Sequence, residues 1–121
     1  LDSDAVFVFE FNSSLALADQ VAANGVSINN SVFSITDLGS GILAAGTQFV
    51  VINNTSDEAI LGTFQNLADN STFTIGANEF HVSYSGGDGN DLVLTVVPEP
   101  ATTALVGLGL ASVLFFRRRS N

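Results

Sequence analysis

Apolar and polar residues follow one another in short runs along most of the first 97 positions. Phe80, Val82 and Tyr84 alternate with His81 and Ser83, and Phe33 and Ile35 flank Ser34. Phe73 and Ile75 flank Thr74 in the same way. A period of two marks a strand with one buried face. The pattern predicts strands at Ala5–Phe11, Val26–Ile28, Val32–Thr36, Gln48–Ile52, Ile60–Phe64, Thr72–Ile75, Glu79–Ser83 and Asp91–Val97. Phe49-Val50-Val51-Ile52 is apolar on both faces, which predicts a strand covered on both sides. Leu15–Ala23 reads as a short, weakly amphipathic helix, interrupted by Asp19 and Gln20.

Turns separate these runs. Asn24-Gly25, Asn29-Asn30, Leu38–Gly41, Asn53-Asn54, Gly76–Asn78 and Gly86–Asn90 supply residues that tolerate a positive φ. No proline precedes Pro98, so every strand keeps its full set of donors. Many short strands at this spacing fit either a small β-sandwich or a β-solenoid. Sparse charge and asparagine-rich turns favour stacked coils, although no strict repeat period is visible.

Charge sharpens the picture. Twelve acids face three basic residues in 121, for a net charge of −9, and the basic residues are Arg117, Arg118 and Arg119. Residues 1–116 thus carry no Lys or Arg, a surface that repels phosphate backbones and excludes nucleic-acid binding. The absence of Cys excludes disulfides and thiolate sites, and a single His excludes a multi-histidine metal centre within one chain. With 46% hydrophobic and 12% charged residues, the chain is too apolar for a disordered acidic tail. The chain opens on Leu1 with strand-like sequence and no basic, small-residue leader. It therefore reads as the C-terminal piece of a longer protein or as a truncated reading frame.

The composition changes at residue 98. Pro98-Glu99-Pro100 is followed by the uncharged run Ala101–Phe116, then Arg117–Arg119, Ser120 and Asn121. As a helix the 16-residue run is about 24 Å long at ~1.5 Å per residue. That is slightly short of a hydrocarbon core of roughly 30 Å, a deficit that snorkelling arginines make up. Three arginines follow the span and none precede it, so the C-terminus is expected in the cytoplasm and residues 1–97 outside. The expected organisation is a β region over 1–97, then a motif at 98–100, a membrane helix at 101–116 and a basic tail at 117–121.

This tripartite tail closely resembles the PEP-CTERM sorting signal of bacteria that make exopolysaccharide. The resemblance implies an exported protein recognised by an exosortase, a membrane enzyme that would act at Pro98, Glu99 and Pro100. Arg117, Arg118 and Arg119 would hold the chain in the membrane lipid until processing. A plain single-pass anchor is the alternative. A Gram-positive wall signal is excluded by the lack of a Leu-Pro-x-Thr-Gly box. A second resemblance rests on Gly46–Ile52, Leu61–Leu67, Asn78–Tyr84 and Gly86–Thr95. These segments look like the closing part of proteins with autotransporter-associated β-strand repeats. That resemblance implies the last coils and cap of a right-handed parallel β-helix.

Other constellations are weaker. Gly86–Leu94 fits one calcium-binding nonapeptide, with Asp88 and Asp91 as candidate ligands. Such cages form between stacked copies, and a single copy reads better as a glycine turn. His81 has Ser83 and Glu79 on its strand face, as alternation alone provides, and reads as an exposed or half-exposed histidine. Asp57-Glu58 reads as a solvated turn. Asp2, Asp4 and Glu10 lack the aromatic platform of a glycosidase cleft. Sequons such as Asn54-Thr55-Ser56 read as chance. The expectation is a non-enzymatic, cofactor-free surface or matrix protein, with extracellular polysaccharide as a possible partner. The alternative is the end of a polysaccharide-active β-helix enzyme whose catalytic part lies upstream.

Overall fold

Residue alternation sets the first strand and the core with it. In the computed structural model, which describes residue 1 and residues 4–98, β1 (Val6–Asn12) turns Phe9 and Phe11 inward, each 1% exposed. Val6 and Val8 stand on its outer face, 57% and 61% exposed. The further strands are β2 (Leu17–Ala18), β3 (Val21–Ala23), β4 (Val32–Asp37), β5 (Gln48–Asn54), β6 (Thr72–Ile75), β7 (Asn78–Gly86) and β8 (Asp91–Val96). They form a three-stranded sheet, β2-β1-β4, and a five-stranded sheet, β3-β5-β8-β7-β6.

The two sheets share one core. Phe11 of the smaller sheet meets Phe80 of the larger edge-on at 5.4 Å and Phe49 at 5.6 Å. Phe33 packs on Phe64 at 5.2 Å, and Phe73 stacks on Phe80 at 5.5 Å. Each such aromatic pair adds about 0.5–1.5 kcal/mol beyond the area it buries. Val51, Val82, Leu92 and Leu94 fill the remaining space and are wholly buried. β8 is the middle strand of its sheet and buries five of its six residues.

The molecule is mainly β, as expected, and the described residues contain no helix. The helix expected over Leu15–Ala23 is replaced by β2 and β3. The Asn12 side chain is the cause. Its Oδ1 accepts the N–H groups of Ser14 (3.0 Å) and Leu15 (3.2 Å), and Ala16 then takes a φ of 55°. That local turn folds β2 back on β1 before a helix can start. The strands expected at Val26–Ile28 and Ile60–Phe64 shrink to single bridges, Ser27 with Leu61 and Phe64 with Leu67. β5 does bury Phe49, Val51 and Ile52, helped by a bulge between Val50 and Ile52 where it pairs with β8.

Among the described residues no parallel β-helix is shown. β1 pairs with β4 and β3 with β5 in parallel, but β5-β8, β7-β8 and β6-β7 are antiparallel. The reason lies in the turns. Gly76-Ala77 and Gly86–Asn90 reverse the chain within a few residues, so the last three strands return as hairpins rather than as coils. The small β-sandwich alternative has in common with the structure two sheets around one core.

Candidate functional site

The end of β8 governs how the chain leaves the folded body. Apolar residues Leu92, Val93, Leu94 and Val96 bury the strand, and its neighbours β5 and β7 hold it from both sides. The clamp continues to the last turn. Gly46 N–H donates to Val96 O (2.7 Å), Val96 N–H donates to Thr47 O (2.8 Å) and Val97 N–H donates to Glu79 O (2.9 Å). Pro98 follows at once and is exposed. It has no N–H, so pairing to β7 stops there. A cavity of about 230 Å³ lies beside this exit, lined by Ile42, Leu43, Ala77, Glu79, Val97 and Pro98 among others. The fold therefore delivers Pro98 to the surface with no spacer after the last paired residue. Glu99, Pro100, the expected membrane helix at 101–116 and Arg117, Arg118 and Arg119 lie outside the described residues. Among the described residues no helix is long and apolar enough to cross a membrane.

The nonapeptide segment forms the hairpin between β7 and β8. Gly89 N–H closes the turn on Gly86 O at 2.8 Å, and Gly87 takes a φ of 58°. A Cβ at Gly87 would run into the Asp91 carboxylate, so only glycine lets that side chain sit there. Asp91 is 5% exposed and points into the sheet, where its Oδ1 accepts the Asn54 N–H at 2.9 Å. That bond caps the end of β5. Asp88 is exposed and lines a separate polar cavity of about 300 Å³ with Asp57. The structure thus sends the two calcium candidates to different surroundings. Among the described residues no group of three or more His, Asp and Glu side chains is gathered to hold a metal.

His81 is half-buried in the middle of β7, opposite Thr72 and Thr95. The Ser83 Oγ accepts the Ser85 N–H at 3.2 Å and so serves the local turn. Asp4 is exposed, Glu10 is half-buried on β1, and Asp2 lies outside the described residues.

Sequence reading missed the asparagines. Asn54, fully buried, accepts the Gly25 and Ser56 N–H groups and donates to Glu58 O. Asn78 bridges Gly41 O and the Leu43 N–H. Asn66 donates to Phe33 O (2.7 Å) and accepts the Phe33 N–H (2.8 Å), standing in for a neighbouring strand on β4. The only signal was asparagine placed next to apolar runs, and turn propensity explains that equally well.

Comparison with known proteins adds to this geometry. No curated protein matches the chain. The likeness to autotransporter-associated repeats gains no support. Residues 96–119 match the PEP-CTERM protein-sorting motif. The match begins on Val96, the last residue of β8, so the motif starts inside the clamped end of the fold. Such a motif implies exosortase-dependent sorting of an exported protein that passes a membrane.

Proposed function

We propose that this chain is a non-enzymatic protein of the cell surface or extracellular matrix, anchored in the inner membrane until an exosortase cuts it. In this reading Ala101–Phe116 spans the membrane with Arg117, Arg118 and Arg119 on the cytoplasmic side. Pro98, Glu99 and Pro100 then lie at the outer interface. The single observation that carries the reading is the sorting motif over residues 96–119. The exposed position of Pro98 supports it, because an enzyme at the membrane surface needs an unpaired, extended substrate. The β region then acts as a structural or adhesive body within extracellular polysaccharide. A polysaccharide-active enzyme with its catalytic part elsewhere remains the second reading.

The test replaces Pro98-Glu99-Pro100 by three alanines in a host with and without its exosortase. The apolar run and its arginines are untouched, so insertion should persist. The full-length precursor should accumulate in the inner membrane of both strains. Normal trimming and surface delivery of the alanine variant would sink the sorting proposal and leave a plain anchor.

A further inference from the structure

Val96 and Val97 belong at once to the sheet and to the matched motif. The PEP-CTERM match opens on these two residues, and the fold holds them from both sides. Val96 N–H donates to Thr47 O (2.8 Å) and Val96 O accepts the Gly46 N–H (2.7 Å), on the β5 side. Val97 N–H donates to Glu79 O (2.9 Å), on the β7 side. The Val96 side chain is 4% exposed and belongs to the core. The turn that bears Gly46 is itself tied, because the Thr47 N–H and Oγ–H both donate to Ala44 O, at 3.1 and 2.7 Å.

Reach limits what an enzyme can take outside this clamp. In the sorting reading only Pro98, Glu99 and Pro100 separate Val97 from the membrane run that starts at Ala101. Whatever path they take, these residues span at most about 10 Å, at ~3.3–3.6 Å each. An enzyme that binds an extended chain holds it through main-chain hydrogen bonds. Two of the three residues are prolines, so the stretch offers a single N–H, that of Glu99. The next main-chain donors towards the fold are Val97 and Val96, and both are engaged by Glu79 and Thr47.

One anchor has to yield, and the two differ in what yielding costs. As a helix the membrane run is about 24 Å long, at ~1.5 Å per residue, and a hydrocarbon core is roughly 30 Å thick. Drawing residues out of the membrane widens a deficit that already exists. At the strand end, release of Val96 and Val97 breaks three hydrogen bonds and uncovers one buried side chain. Strand ends open locally at a fraction of the global stability. The opening stops at Thr95, which pairs with Gln48 and His81, and Leu94 beyond it is wholly buried. Release of Val96 and Val97 adds two N–H donors and about 7 Å of reach at the same rise.

We infer that the end of β8 is a gate on processing: the exosortase takes the chain only when Val96 and Val97 have left the sheet. The closed sheet withholds these residues, so the rate of cutting follows the fraction of molecules whose strand end is open. A body paired to its last turn is cut slowly, and one whose pairing to Thr47 and Glu79 is incomplete is cut faster. The inference rests on the sorting reading and adds to it a control exerted by the fold.

Pulse-chase labelling of the full chain, in a host with and without its exosortase, tests the gate. Inserting Gly-Ser-Gly-Ser between Val97 and Pro98 supplies free main-chain donors and should speed exosortase-dependent trimming about tenfold or more. Gly46→Ala leaves the motif and its spacing untouched. Alanine is strained at the φ of 90° that Gly46 adopts, so the clamp loosens and trimming should speed about fivefold. Glu79→Cys together with Val97→Cys staples the gate. These positions lie one step past the Phe80–Val96 pair, and hydrogen-bonded antiparallel pairs have Cα atoms about 5.5 Å apart, within disulfide range. The oxidised form should be trimmed about tenfold or more slower than the same protein after reduction. Slow exchange of the Leu92 and Leu94 amides checks that each variant keeps its core. If the wild-type chain is not trimmed in an exosortase-dependent way, the sorting reading falls and takes the gate with it. If the wild-type chain is trimmed so but neither Gly46→Ala nor the staple changes the rate, the gate alone is overturned. A gain from the spacer under those conditions would show that the folded body only crowds the enzyme.

Discussion

Two polar side chains hold segments that hydrophobic packing alone would leave loose, and each carries a pH signature. Asp37 ends β4 and accepts the Ser13 Oγ–H (2.5 Å), the Ser13 N–H (2.9 Å) and the Gly39 N–H (2.8 Å). Burial acts to raise its pKa, but these three donors together outweigh burial and hold it below the usual carboxylate value. A depressed folded pKa gives stability that is present above the unfolded value and lost as pH falls through the folded one. Asp37→Asn should therefore cost about 1 kcal/mol at neutral pH, modest because the site is partly solvated. The variant should also lose less stability than the wild type on acidification through that window, as read by urea titrations at several pH values. Tyr84 behaves in the opposite sense. Burial is the main cause that raises its phenol pKa, and the Asp69 carboxylate adds to it against the Phe64 N–H. Its hydroxyl donates to Leu67 O and accepts the Phe64 N–H at 3.1 Å. Its contribution is full below the unfolded phenol value and is lost as pH rises through the raised folded value. Tyr84→Phe should cost about 1–3 kcal/mol at neutral pH by leaving both backbone groups unpaired. It should also flatten the alkaline limb of the stability profile.

At the scale of elements, the β7–β8 hairpin tests what a motif means in isolation. Gly86–Leu94 has the calcium nonapeptide pattern, yet its Asp91 carboxylate is turned inward to the Asn54 N–H. Millimolar calcium should therefore leave the melting temperature unchanged, while Asp91→Ala should lower stability by about 1–3 kcal/mol with or without calcium. A saturable rise with calcium that Asp91→Ala abolishes would restore the metal reading. The hairpin also shows what sequence makes legible. Strands with clean alternation, such as Phe73–Ile75 and Phe80–Tyr84, appear where the pattern puts them, because burial of one face depends only on neighbours two apart. Pairing partners depend on contacts far along the chain. Nothing local says that Val6 lies beside Val32 in parallel or that Leu94 lies beside Val82 in antiparallel. The misread helix at Leu15–Ala23 failed for a similar reason. A single side-chain acceptor, Asn12 Oδ1, outweighed a weak periodic signal. The sorting motif at 96–119 was legible because it is written in consecutive residues and needs no fold to bring it together.

For the whole molecule, the arrangement joins a clamped β8 to the sorting motif without a spacer, and this separates two roles in the tail. The motif match runs from Val96 to Arg119, spanning the box and the arginines that retention requires under the proposed function. The two ends should fail differently. Replacing Arg117, Arg118 and Arg119 by serine removes all three Lys and Arg side chains of the sequence. Under the proposed function it takes away the cytoplasmic determinant of orientation and the long stems that would reach the interface. As the proposed helix, about 24 Å long at ~1.5 Å per residue, the apolar run would then have nothing to stop it sliding through or inserting poorly. The expected product is uncut protein released to the medium or degraded, in place of the membrane-held precursor of the alanine variant at residues 98–100. Adding the alanine change to the serine change should give the serine outcome, since a chain that is not retained never presents its box. Fractionation followed by mass spectrometry of the C-terminus distinguishes these products. Efficient trimming of the triple serine variant at the membrane would show that retention does not depend on the arginines, and the division of roles would fall.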